Sequence, residues 1–194
     1  MKALSNLMFV DLANADLRHY GTRMMTSRWL TFGLLAAFCL TAAAAHAQTQ
    51  PKQIGSYKSW EAYVFTDKGK QSCFISATPS ASNPKKLNRG DIYFMVAHRP
   101  GESVKNEVSL YIGYPFKPGS EARLRIGSKS FKMVTNGENA WPDPKADNSI
   151  VNLMIRGSDM TVEGVSKRGN KTKDRYSLLG FTAAHRAITK ACKM

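Results

Sequence analysis

The chain has 194 residues, of which 28 are Lys or Arg and 14 Asp or Glu, a formal net charge of +14. An excess of that size speaks to solubility and partners rather than to fold, and it points to anions. Three cysteines without a CxxC spacing and four histidines without a cluster exclude a recognisable redox or metal pair. No nucleophile elbow, phosphate loop or dinucleotide fingerprint occurs, so neither a catalytic motif nor a cofactor is expected.

In chain order the first element is a targeting segment. Arg28 is followed by WLTFGLLAAFCLTAAAA, then by Ala45-His46-Ala47 and the polar Gln48, the basic, apolar and small-x-small parts of a signal peptide. Residues 1–47 are therefore expected to leave as a leader cut after Ala47, and the long stretch before Arg28 suggests a true start at Met24 or Met25. The apolar run is shorter than the roughly 20 residues of a transmembrane anchor, so no span is expected in the mature chain. Cys39 follows Phe38, where lipid attachment wants a small residue.

The 147 residues after Ala47 suffice for one core. Removing four basic and two acidic residues with the leader leaves a charge of about +12. For a periplasmic, outer-membrane-associated or secreted protein, the accessible anions are an envelope component such as lipopolysaccharide or a lipid head group, an acidic glycan or an acidic protein. Nucleic acid is not an expected partner. Cys73 and Cys192 remain, and in an oxidising compartment the one possible intramolecular pairing is a Cys73–Cys192 disulfide from an early strand to the terminal helix.

The rest reads as a mainly β domain over 58–194 behind a flexible lead-in, 48–57. Ser59–Phe65 and Gln71–Ala77 are strands of an edge hairpin, and Thr78–Asn88 is a surface loop. In Ile92–Ala97 both faces are apolar, the pattern of a central strand covered on both sides; Glu107–Tyr114 alternates with one buried face. Gly127-Ser128 is a two-residue turn that sets Leu124 against Phe131, Ala122 against Met133 and Arg123 against Lys132, with Arg125 beside them. Asp147 caps a helix over Asn148–Arg156 with Ile150, Val151 and Met154 inward. The last hairpin, Met160–Lys167 and Lys171–Leu178, is read with a three-residue loop that places Val162 opposite Tyr176, Glu163 opposite Arg175 and Lys167 opposite Lys171. After Gly180 a helix runs from Phe181 to Ala191 with His185, Arg186 and Lys190 outward. The expected fold is an antiparallel β-sandwich or curved sheet of about eight strands with two short helices.

The run RGD-I-YF-x-V-x-HRP, then NEVS and GYPFKPGSEA, an IG-x-K-x-F-K hairpin, a tryptophan, YSL-x-GF-x-AA and a terminal cysteine resembles the invasion-associated locus B family of bacterial envelope proteins, over about residues 58–192. The resemblance implies an exported, virulence-associated protein with a role in host interaction, and it implies no reaction.

Two kinds of function stay open. His98 shares its hairpin with Asp91, Arg99, Glu107 and Ser109, groups a general base would need within reach, so a periplasmic hydrolase with a site near His98 is one reading. The other is a non-catalytic interaction module. It rests on basic groups in loops and on open faces: Lys167, Arg168, Lys171, Lys173 and Arg175 at the last hairpin, Arg123, Arg125 and Lys132 on the earlier one, and Lys85, Lys86 and Arg89 before the central strand. Arg89-Gly90-Asp91 reads as a strand start rather than an adhesive tripeptide, and Trp60 and Trp141 as core or lid.

Overall fold

The computed structural model describes residues 50–194; the expected leader, with Met24, Met25 and Cys39, lies outside the described residues. Eleven strands form one open antiparallel sheet: β1 (Lys52–Tyr57), β2 (Trp60–Asp67), β3 (Lys70–Ala77), β4 (Ala81–Asn83), β5 (Tyr93–Arg99), β6 (Val104–Tyr111), β7 (Glu121–Ile126), β8 (Lys129–Asn136), β9 (Asn139–Pro142), β10 (Asp159–Val165) and β11 (Lys171–Ser177). Helix α1 (Asp147–Arg156) lies between β9 and β10, and α2 (Phe181–Cys192) closes the chain.

The sheet order is β1-β2-β3-β5-β6-β9-β8-β7-β10-β11-β4. The sheet curls, because Trp60 Nε1 on β2 donates to Ser177 O on β11 at 3.0 Å although nearly the whole sheet lies between them. Inward residues of the strands form one cluster with Ile150, Val151 and Met154 of α1 and Phe181, Ala184 and Ile188 of α2. Trp60 sits at its centre, fully buried and edge-on to Phe181 at 4.9 Å. A Cys73–Cys192 disulfide pins the end of α2 to β3.

The mainly β fold with one C-terminal helix agrees with the sequence reading, as a single curved sheet and not a sandwich. The count is eleven and not eight because β1, β4 and β9 are short or polar and carry little periodicity. β1 occupies part of the segment read as a lead-in, which makes β2–β3 an inner hairpin, and β4 lies within the loop read over Thr78–Asn88, where it pairs with β11. Among the described residues, the central strand β5 has helices over one face only. Phe94, Val96 and His98 point into the core, while Tyr93, Met95 and Ala97 lie on the outer face, Met95 shielded between Ser76 and Ser109 of the adjoining strands. Their apolar character reflects cross-strand packing rather than a second covering layer.

Two glycines have structural reasons to be there. Gly113, at φ 75°, lets its carbonyl accept from Gly90 N at 2.7 Å, and a Cβ there would come within 2.4 Å of Gly90 O. Gly180, at φ 91°, starts α2 beneath the β1–β2 turn, where a Cβ would fall 1.8 Å from Tyr57 O. Neither site has room for a side chain.

Candidate functional site

The turn at Gly127-Ser128 fixes the register of β7 and β8 as the sequence implies: Leu124 faces Phe131, Ala122 faces Met133 and Arg123 faces Lys132. Alternation then buries Ala122, Leu124 and Ile126 and turns Arg123 and Arg125 outward. β10 pairs with β7 on its other side, setting Glu163 beside Arg123 and Thr161 beside Arg125.

The β10–β11 register differs from the expectation. Met160 faces Tyr176, Val162 faces Asp174, Glu163 faces Lys173 and Val165 faces Lys171, with a five-residue loop, Ser166–Asn170, between them. The loop closes on itself, Ser166 N donating to Asn170 O at 2.9 Å, and is held from below by Lys167 N donating to Pro115 O at 2.8 Å. The expected Lys167–Lys171 and Glu163–Arg175 pairs therefore do not form. The slide is by two residues, so Thr172, Asp174 and Tyr176 point into the protein in either register, and what selects the observed one is where their partners stand. Thr172 Oγ1 meets Tyr114 Oη at 2.6 Å, and Asp174 meets Arg89. Asp174, the one acidic residue among the cations of β11, is fully buried, and the Arg89 side chain is buried with it. Of Arg89-Gly90-Asp91, Gly90 and Asp91 are exposed while the Arg89 side chain is committed to Asp174.

With this register, Lys132 of β8, Arg123 and Arg125 of β7, and Lys171, Lys173 and Arg175 of β11 are exposed on one outer face of neighbouring strands; Lys167 and Arg168 are exposed in the loop at its end. Three of the cations have partners: Lys132 Nζ to Glu121 at 3.1 Å, Lys173 Nζ to Glu163 at 3.1 Å and Arg175 Nη2 to Asp159 at 3.0 Å. Among the described residues, Arg123, Arg125 and Lys171 form no ion pair. Two open grooves cross the face, one of about 340 Å³ over Arg123, Glu163 and Lys171, the other of about 600 Å³ between Lys85, Thr161 and Arg175. Their walls set Arg and Lys side chains beside the carboxylates of Glu121, Glu163 and Asp159.

His98 is placed quite differently. It is fully buried at a β-bulge where Lys105 and Asn106 together oppose it, Asn106 taking the left-handed conformation at φ 63°. Asn106 N–H donates to His98 Nδ1 at 3.1 Å, so that nitrogen is an acceptor and the proton sits on Nε2, 3.1 Å from Thr189 Oγ1, which itself donates to the carbonyl of His185. His185, expected to face outward, is half-buried, with Nε2 2.7 Å from Asn106 Oδ1, while Asn106 Nδ2 donates to Asn148. Burial, and then His185 and Lys105, hold His98 down to about 4, and burial likewise lowers His185. Asp147 departs from its expected role as well. It is the first residue of α1, makes no cap bond within the helix, and accepts from Val108 N at 3.3 Å; burial pushes it up to about 6. A base whose ring nitrogens both hold the fold together, out of reach of solvent, is a structural histidine. Glu107 instead pairs with Arg99.

A signal for part of this was in the sequence. Asp174 has the same strand parity as Tyr176, so burying the tyrosine forces the aspartate inward too. The bulge at Asn106 had none, since it depends on which strands become neighbours.

The family model for the Invasion associated locus B (IalB) protein matches residues 60–189. The chain belongs to this family. It is not a known enzyme family. No curated protein and no solved structure matches the chain. Among the described residues, no helix is long and apolar enough to cross a membrane, and no group of three or more His, Cys, Asp or Glu side chains could hold a metal ion.

Proposed function

We propose that this IalB-family chain is an exported, non-catalytic interaction protein of the cell envelope that binds an anionic envelope or host-surface partner through the outer face of β8, β7, β10 and β11. The observation that carries this reading is the gathering of six cations from three strands on one exposed face, with Arg123, Arg125 and Lys171 forming no ion pair among the described residues. Unpaired cations beside Arg–carboxylate and Lys–carboxylate pairs leave donors for phosphate, sulfate or carboxylate groups. Because the side chains are hydrated, contacts are individually modest and salt-sensitive, and complementarity acts mainly on the encounter rate.

The hydrolase reading loses support from the burial of His98 and the use of both its ring nitrogens. A pull-down from envelope extract at low and at high salt tests the interaction reading. Recovery of an anionic component at low salt, released by salt, is the expected result; recovery of none, or equal recovery by an Arg123→Gln/Arg125→Gln/Lys171→Gln variant, contradicts it.

A further inference from the structure

The outer face continues past Lys132 into an apolar margin. The next outward position on β8 is Val134, 70% exposed, and directly opposite it on β9 stands Trp141, 37% exposed. These two large apolar side chains lie side by side in solvent, with Glu121 across from Val134 on β7 and Lys132 one outward step along β8. Pro142 follows Trp141, and the Asp143 carboxylate accepts from Lys145 N at 2.9 Å in the turn beyond, so the backbone presenting the indole is already ordered.

We propose that this face docks on an anionic phospholipid bilayer, with Arg123, Arg125 and Lys132 meeting lipid phosphates while Trp141 and Val134 enter the head-group layer. The inference rests on the anionic-partner reading above and narrows it to one source of anion. A soluble acidic glycan accounts for the cations and can stack a sugar ring on Trp141, but it gives no reason for Val134, 70% exposed beside the indole. A bilayer accounts for the cations and for both apolar side chains. Its negative surface attracts Lys and Arg within about a Debye length, roughly 8 Å at physiological salt, and its head-group layer is where an indole with an apolar body and an N–H places both. Glu121, Glu163 and Asp159 neutralise three of the cations, so charge alone makes a weak anchor and the apolar pair is needed as well.

The test uses Trp141 as its own reporter. Trp60 is fully buried, and the emission of the parent minus that of Trp141→Phe isolates the Trp141 signal. Vesicles of phosphatidylcholine with phosphatidylglycerol, and of phosphatidylcholine alone, both carrying brominated acyl chains, are titrated into the purified protein. The expected result is a blue-shifted, quenched Trp141 emission with the anionic vesicles only, reversed by salt. Partitioning should fall roughly thirtyfold in Arg123→Gln/Arg125→Gln, from the surface attraction that the two cations lose. It should also fall in Val134→Ser/Trp141→Ala, whose retention of a soluble acidic glycan, heparin, should match the parent's. No change in Trp141 emission, or equal quenching without phosphatidylglycerol, overturns the inference. If heparin still binds in that case, the anionic-partner reading survives and only the bilayer fails; if heparin does not bind either, both fall.

Discussion

Arg89 and Asp174, 85 residues apart in sequence, meet in a two-pronged ion pair beneath the sheet, with side chains 6% and 0% exposed. Arg89 Nη1 donates to Asp174 Oδ2 at 2.8 Å, and Nη2 reaches both Oδ1 and Ser82 Oγ. The guanidinium lies over the Tyr114 ring at 5.9 Å. The pair ties β11 to the chain entering β5 and limits how β11 can slide, because a one-residue shift would turn the carboxylate outward and a two-residue shift would carry it roughly 7 Å along the strand from Arg89.

Removing one partner leaves a buried charge without its counter-ion, which costs about 3–5 kcal/mol. Asp174→Asn and Arg89→Met should each lower stability by that order in urea denaturation. The double replacement Arg89→Met/Asp174→Leu should recover most of the loss, since it leaves no charge behind. Two additive losses in the double variant would mean that the pair contributes packing rather than charge compensation.

Acid should act on the fold through His98, His185 and Asp147 with opposed signs. His98 has its pKa lowered from 6.5 to about 4, so the unfolded chain binds more protons between those values and stability falls as pH drops across them, by about 3 kcal/mol at most. His185, also lowered, acts in the same direction. Asp147, raised from 3.8 to about 6, binds more protons when folded, so it adds stability as pH falls through that window. Melting temperature between pH 6.5 and 4 should therefore fall less steeply in His98→Gln and more steeply in Asp147→Asn. Parallel pH profiles in the parent and both variants would refute this assignment.

The Cys73–Cys192 bridge closes a loop spanning 119 residues, for which the chain-entropy account gives about 4–5 kcal/mol, with measured values often lower. Cys73→Ala/Cys192→Ala should lose a large part of that in urea denaturation, and the last turn of α2 should exchange its amide protons sooner than its first turn. Retained stability with unchanged protection of the last turn would show that packing alone holds the helix end.

Much of the β7–β8 half of the candidate site was legible because local chemistry decides it. A Gly-Ser turn fixes register, and alternation then sends Arg123, Arg125 and Lys132 to one face whatever the distant partners are. The β10–β11 half was legible only as a cluster of charges. The expected register has the right inward face but stands two residues off, because a turn rule that looks only at Arg168, Gly169 and Asn170 cannot see where Arg89, far away in sequence, meets Asp174. The same reasoning covers β4 and β9, short segments whose strand character comes from their neighbours, and Asn106, whose bulge appears only once β5 and β6 are paired. Tyr93, Met95 and Ala97 show the converse: an apolar pattern on both faces of a strand records neighbours within the sheet as readily as a second covering layer.

Under the proposed function, position on the outer β8–β7–β10–β11 face, and not total charge, sets the affinity for anions. Two variants of equal charge separate the possibilities: Arg123→Gln/Arg125→Gln/Lys171→Gln on the face, and Lys52→Gln/Lys70→Gln/Lys105→Gln at exposed positions on β1, β3 and β6. Calorimetric titration with lipopolysaccharide at low salt should show the first weakened by roughly 10- to 100-fold, from three contacts of about 0.5–1 kcal/mol each, and the second by less than about threefold. Equal weakening of the two would mean that the protein binds through its net charge alone and that the face is an ordinary solvated surface.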